Sequence, residues 1–460
     1  MKDFNFYHIT DLHYYANEVI GSYGKHYERA CMADEKCTDE SGAIVDAAFK
    51  AMAEDKDNEV IIISGDLTCN GEKASHDELV KKLQKLKDAG KRIFVTCATH
   101  DYDNGARCYT EYGSYKIEEY PREELRNVYW DFGWSEAVSE HLPSLSYAVK
   151  MFDGWRFLLL NDDGNGRSFT GYYDDQLKWI RNQVKEANEA GERVIAVTHH
   201  PVLPPSKIYP FISHRDMLGG YETTAPMFAD IGIEYVFTGH THNQSITCLD
   251  TPRGNRLYHI NTGAVCGGEA PYRKVTITDK GLDIKTLNLE SFDWDLKGMT
   301  VPEYLREHFM FLLNDIFWSM ENDIERFKGH AGGFSMEAST VDALRPAIKI
   351  VGKTINNLTF KKLAKLFFCS SAVDPGIADA SVRDFALDVI FRMFTGKRIY
   401  SPDTPEYRAI MPVIRKISKV VKLKDYYGNK VGIDELFEDL FYINGEFDYT
   451  DTFLPFMKKN

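Results

Sequence analysis

An α/β fold followed by a helical region is what this 460-residue chain predicts, on three observations. Apolar, β-branched runs recur through roughly the first 280 residues, amphipathic helical patterns lie between them, and after about residue 298 long helical periodicities take over. The runs are Phe4 to Ile9, Val60 to Ser64, Ile93 to Thr96, Trp155 to Leu160, Val194 to Thr198, Tyr235 to Thr238, Leu257 to Asn261 and Val275 to Thr278. Several lack a polar alternate, as strands buried on both faces do. Between them, Ser75 to Ala89 reads as a helix ended by Gly90, and Tyr173 to Ala190 as one ended by Gly191.

In the second region Thr300 and Glu303 have capping-box spacing. Leu305, Phe309, Leu312, Leu313, Ile316, Met320, Ile324 and Phe327 then follow at helical intervals until Gly329. Ser381 with Asp384 starts another helix that stops at Gly396. The expected division is a first domain over residues 1–298 and an all-helical domain over 299–460.

Hydrophobic residues at 43% and charged residues at 27% describe a globular chain. The start lacks the apolar stretch of a signal peptide, and no run approaches the ~18 residues needed to span a bilayer, so a cytoplasmic location is expected. Eight cysteines show neither a disulfide framework nor a CxxC pattern, and Cys69 and Cys97 read as apolar filling beside the chemical motifs. The net charge of -14 is uneven: Arg345 to Lys430 holds 17 Lys and Arg against 7 Asp and Glu.

The chemistry lies where the strands end. Phe4 to Ile9 is followed by Asp11 and His13, Val60 to Ser64 by Gly65-Asp66, and Ile93 to Thr96 by His100-Asp101. Val194 to Thr198 leads into His199-His200-Pro201, and Tyr235 to Thr238 into Gly239-His240-Thr241-His242. One such histidine is ordinarily a satisfied core or surface residue. Five strand ends in register are not, because the carboxyl ends of an α/β sheet open onto one crevice. Side chains two apart on an extended segment share a face, so Asp11 with His13 and His240 with His242 are each expected to converge. Mixed carboxylate and imidazole donors suit Mn, Fe or Zn, and six of them exceed the need of one ion. Two divalent metal ions about 3.5–4 Å apart account for the set, with Asp66, after a turn-permitting glycine, as the bridging carboxylate.

The ordered motifs DLH, GD, HD, HHP and GHTH resemble the calcineurin-like metallophosphoesterase superfamily, whose pattern runs DxH, GD, GNH[DE], HxP and GHxH. The resemblance covers about residues 1 to 290, and SGDLTCNGEKASHDEL and GYYDDQLKWI are similar to cyclic-nucleotide phosphodiesterase-like members. It implies two mixed β-sheets packed as a sandwich and flanked by helices, with the dinuclear site on one edge. It also implies that Asp11, His13, Asp66 and His242 hold the first metal and Asp66, His199 and His240 the second, with His200 outside. His100 would contact the scissile phosphate and protonate the leaving oxygen, with Asp101 orienting its ring, during in-line attack by a hydroxide generated at the cations. Two departures stand out. Thr99 occupies the place of the family's metal-ligating Asn, so the second ion is expected to be held less tightly, and Ala98 replaces the turn glycine.

Three insertions, Tyr14 to Glu40, Tyr102 to Pro143 and Val202 to Thr224, hang from the catalytic strand ends and are expected to shape the substrate pocket. Tyr23, His26, Tyr102, Arg107, His214 and Arg215 are candidate substrate contacts, each weighed against a solvated loop residue; Asn161 and Asp162-Asp163 end a further strand, where acidic groups near a phosphate site could equally serve it or be spectators. Ile410 to Lys424 is a basic amphipathic helix that could engage an anionic membrane or nucleic acid, although packing of its apolar face on a core is the favoured reading. The expected function is metal-dependent hydrolysis of a small or nucleotide-like phosphodiester. The alternatives are a non-catalytic or regulatory metal-binding protein engaging an anionic partner through the basic helices, and a nuclease.

Overall fold

The computed structural model describes residues 3–19, 21, 24–32, 34–164, 170–333, 337–424, 430–443 and 445–457. They form two compact units, one of Met1–Pro205, Arg215–Arg306 and Phe447–Asn460, the other of Ser206–His214 and Glu307–Glu446.

The first unit contains two large mixed sheets. One has six strands in the order Thr452–Pro455, Gly281–Asn288, Pro271–Ile277, Phe4–Ile9, Val60–Ser64 and Arg92–Thr96. Its last three strands run parallel, Phe6 opposite Val60 and Ile61 opposite Ile93. The other has seven, in the order Ser245–Asp250, Arg256–Asn261, Ile233–Thr238, Arg193–Val197, Trp155–Leu159, Ser146–Phe152 and Ser139–His141. The two sheets pack face to face, with the Phe6 ring edge-on to Phe157 and Phe237 at 5.6 and 5.4 Å. All five residues of Val60–Ser64 and the last four of Phe4–Ile9 are buried, which is why those runs show no polar alternate. The α/β class and the pair of packed sheets are as expected. The helices Lys73–Asp88 and Asp174–Glu189 lie close to their predicted bounds, with Gly90 and Gly191 at positive φ just beyond them.

In the second unit the Ser381 hydroxyl accepts from Asp384 N (3.1 Å) and caps Val382–Thr395, which ends at the left-handed Gly396. Three features differ from the sequence expectation. Gly329 does not end a helix: the periodic stretch breaks at Asp323, whose carboxylate accepts from Arg326 N (3.1 Å), and a second helix, Ile324–Gly333, runs through it. An interior glycine weakens a helix by only about 1 kcal/mol, which packing overrides. The basic helix is Pro405–Val420 rather than Ile410 to Lys424, because Lys422–Lys424 pairs with Lys430–Gly432 in a hairpin. Its Ile410, Met411, Val413 and Ile414 are buried in the unit's core, so that apolar face is occupied. Finally, the C-terminal region is helical without being all-helical. Thr452–Pro455 pairs with Gly281–Asn288 in the first unit, where buried Arg273 donates to the carbonyls of Tyr449 (3.0 Å) and Thr450 (3.1 Å). Among the described residues no helix is long and apolar enough to cross a membrane.

Candidate metal centre

The turns that follow four strands bring six of the predicted residues together. Two clusters of metal-capable side chains form, Asp11 with His13 and His242, and Asp66 with His199 and His240, the offered atoms of each lying within 4.8 Å of one another. A third grouping joins His13, Asp66 and His100. His13 Nε2 lies 3.1 Å from His242 Nε2 and 3.7 Å from Asp66 Oδ2. His199 Nε2 lies 3.1 Å from Asp66 Oδ2, and His242 Nε2 3.3 Å from Asp11 Oδ1. Asp66 therefore stands between the clusters. Asp11, His13, Asp66 and His199 are buried, whereas His100, His240 and His242 are partly exposed and give the centre its opening.

The backbone shows how this convergence is made. Ten non-glycine residues have positive φ among those described, and five of them are Asp11 (53°), His13 (40°), Asp66 (48°), His240 (67°) and His242 (53°). Each such residue costs on the order of 1–3 kcal/mol, and clustering at one spot marks a functional site. Convergence through the pleat of an extended segment, as expected from the spacing, is not what the backbone shows. Asp11 and His13 meet through left-handed turns rather than along an extended segment, and His240 and His242 do the same. Cross-links over-determine the turns: Asp11 N donates to Gly65 O (3.2 Å), His13 N to Asp66 O (3.0 Å) and His240 N to Asp11 Oδ2 (3.0 Å).

Gly65 (φ 96°) has no room for a side chain, since a Cβ there would stand 2.6 Å from His199 Nδ1 and 2.7 Å from Ala98 Cβ. We expect Gly65→Ala to destabilise the protein by about 1–3 kcal/mol, read as a lowered melting temperature. An unchanged melt would contradict this packing.

The electrostatics suit a cation. Despite burial, Asp66 and Asp11 hold the His199 imidazolium above its ordinary pKa. Despite the same burial, Asp11 and Glu35 raise His242 to about 10. Burial, with Lys36 nearby, pushes His13 well below the ordinary range, and burial with His200 and His199 does the same to His240. Asp66, although buried, is held well below the carboxylate range by His199 and His100. Protons on some imidazoles thus balance the carboxylates while others stay neutral with lone pairs available, and divalent cations could take over that balance. His13 Nδ1 and His240 Nδ1 are buried without a hydrogen-bond partner among the described residues, and the facing nitrogens of His13 and His242 are spaced as two imidazoles about 2.1 Å from one shared ion would be. The donor set fits a dinuclear divalent centre.

His100 N donates to Asp66 Oδ1 (3.0 Å), and its Nδ1 lies 2.6 Å from Cys69 O and 2.7 Å from Asn104 Nδ2. The role expected for Asp101 is revised. Its carboxylate accepts from Ala98 N (2.8 Å) and Thr68 N (2.9 Å), so it ties two loops together, while Cys69 and Asn104 orient the His100 ring. Thr99 is partly buried in the turn between them. His200 lies in a separate cluster with Asp162 and Asp163, its Nδ1 2.8 Å from Asp162 Oδ1. Asp162 is no spectator, because its Oδ2 accepts from both His199 N (3.1 Å) and His200 N (2.7 Å) and holds that turn. Tyr102 is buried with its hydroxyl on Asp163, Arg107 is engaged with Ser114 (2.8 Å), His26 is exposed, and His214 and Arg215 lie in a short 3₁₀ turn. Tyr23 lies outside the described residues. Sequence reasoning missed Glu35, whose Oε1 lies 2.8 Å from His242 Nδ1; no motif surrounds it.

The solved structures similar to this chain include a dimetal phosphatase from Danio rerio (14% identity, TM-score 0.45, 65% of this chain and 98% of that one). They also include a purple acid phosphatase from yellow lupin (11%, TM-score 0.41, 62% and 52%) and an NAD nucleotidase from Haemophilus influenzae (12%, TM-score 0.34, 78% and 62%). No curated protein sequence matches. The model of the calcineurin-like phosphoesterase family matches residues 4–244, which include all six clustered Asp and His residues. With that match over half its length, the chain belongs to the calcineurin-like phosphoesterase family and is a metal-dependent phosphoester hydrolase.

Proposed function

We propose that this protein hydrolyses a phosphodiester or nucleotide-like substrate at the centre described above. The observation that carries this reading is Asp66, which groups with His199 and His240 on one side and with His13 and His100 on the other, the His100 backbone amide on one of its oxygens and His199 on the other. Asp11, His13, Asp66 and His242 would hold one divalent ion, and Asp66, His199 and His240 the other; Mn, Fe and Zn all suit these donors. When bound, such ions supply a nucleophile by lowering the pKa of water and neutralise charge on the phosphoryl oxygens.

The chain's own part is positioning and proton transfer. The Cys69 carbonyl and the Asn104 side-chain amide both meet His100 Nδ1 and so hold one edge of the ring. Nε2, on the opposite edge, would contact the substrate and, in the imidazolium form, deliver its proton to the leaving oxygen. A diester benefits from such a donor because its alkoxide leaves poorly unaided. Similarity to the cyclic-nucleotide phosphodiesterase-like branch supports the same substrate class.

Stripping the metals with a chelator should lower turnover at least about a hundredfold, and Mn²⁺ should restore it. The same Mn²⁺-loaded enzyme, assayed on a panel of diesters, monoesters and phosphopeptides, should act fastest on diesters. Activity confined to phosphopeptides would overturn the substrate assignment.

A further inference from the structure

Glu35 lies inside the first insertion, far in sequence from every metal-motif residue except those of the first strand end, yet its carboxylate reaches the centre. Oε1 lies 2.8 Å from His242 Nδ1, on the opposite side of the ring from the Nε2 that faces Asp11 and His13. The contact is an ion-pair approach whose angle does not complete a hydrogen bond. Its position is not that of a loose loop. Cys37 N donates to Cys266 O (2.7 Å), the Cys266 thiol donates to Asp11 O (3.3 Å), and Lys36 Nζ pairs with Asp34 Oδ2 (3.1 Å) in a largely buried setting. The segment carrying Glu35 is thereby fastened to the turn carrying Asp11.

An imidazole can offer Nε2 to a cation only if the ring is neutral and its remaining proton is on Nδ1. His199 meets this condition with a neutral partner, the Ser64 carbonyl 2.8 Å from its Nδ1, while the Nδ1 atoms of His13, His240 and His242 complete no hydrogen bond among the described residues. Among the four clustered imidazoles, His242 is the one whose Nδ1 faces a carboxylate. We propose that Glu35 is a positioning residue of the Asp11, His13 and His242 half-site, fixing the proton on His242 Nδ1 and making Nε2 a stronger donor to a divalent cation. The inference rests on the dinuclear reading above, and it gives the first insertion a role in holding metal.

Calorimetric titration of Mn²⁺ into the metal-free full-length protein tests it. Wild type should bind two ions. Glu35→Gln, which keeps the shape and loses the charge, should weaken one of the two by about 10- to 100-fold and leave the other unchanged. Glu35→Asp should recover part of the loss and covers the case in which the glutamine variant folds poorly. The rise in melting temperature on adding Mn²⁺ should be smaller in Glu35→Gln than in wild type. Two ions bound by Glu35→Gln as tightly as by wild type would overturn the role of Glu35. Equal weakening of both ions in Glu35→Gln would also overturn it, by making Glu35 merely structural. No binding by wild type would instead defeat the dinuclear reading itself.

Discussion

Replacement of Asp66 by Asn should abolish turnover: we expect kcat to fall at least about a thousandfold, with bound metal dropping below two ions per chain. Losing one group that stabilises a developing charge typically costs about 10²–10³ in kcat. Asp66 is expected to ligate both ions, so its loss should weaken two sites at once and exceed that range. It also accepts from His100 N (3.0 Å), so the substitution loosens the turn that carries the proton donor. Elemental analysis beside steady-state kinetics checks the claim. If Asp66→Asn kept two ions and kcat within tenfold of wild type, Asp66 would not be the shared carboxylate.

His100→Gln should produce the second largest effect, and its size should depend on the substrate. General-acid assistance contributes about 10²–10⁴-fold, but only where the departing oxygen needs a proton. With an alkyl diester, kcat should fall within that range. With a p-nitrophenyl ester, whose phenolate leaves unaided, the fall should be less than about tenfold. Metal content should stay at two ions, since His100 lies outside both predicted ligand sets. Equal losses on the two substrates would remove proton donation from His100 and leave it a phosphate contact.

Most of this site was legible before any coordinates. DLH, GD, HHP and GHTH each end a buried apolar run, and that coupling of strand end to ligand-type residue pointed to one crevice. Spacing by two nevertheless does not bring each pair together, because the pleat of an extended segment does not operate at residues with φ of 40° to 67°. Asp101 likewise sits beside His100 in sequence while its carboxylate serves Ala98 N and Thr68 N. Adjacency in sequence does not determine where a side chain points once the backbone turns.

The order of elements, the α/β class and the identity of the clustered Asp and His residues follow from the chain's local patterns: apolar runs, helix caps, and glycines at turns. Each is a short-range property written over a few consecutive residues. Only the tertiary structure decided that Glu35 would meet His242 about two hundred residues away. It alone decided that Asp162 would brace the turn of His199 and His200, and that Thr452–Pro455 would return to the first unit's sheet under the hold of Arg273. Such contacts leave no periodicity in the sequence, because their energy comes from groups that become neighbours only after the sheets have packed.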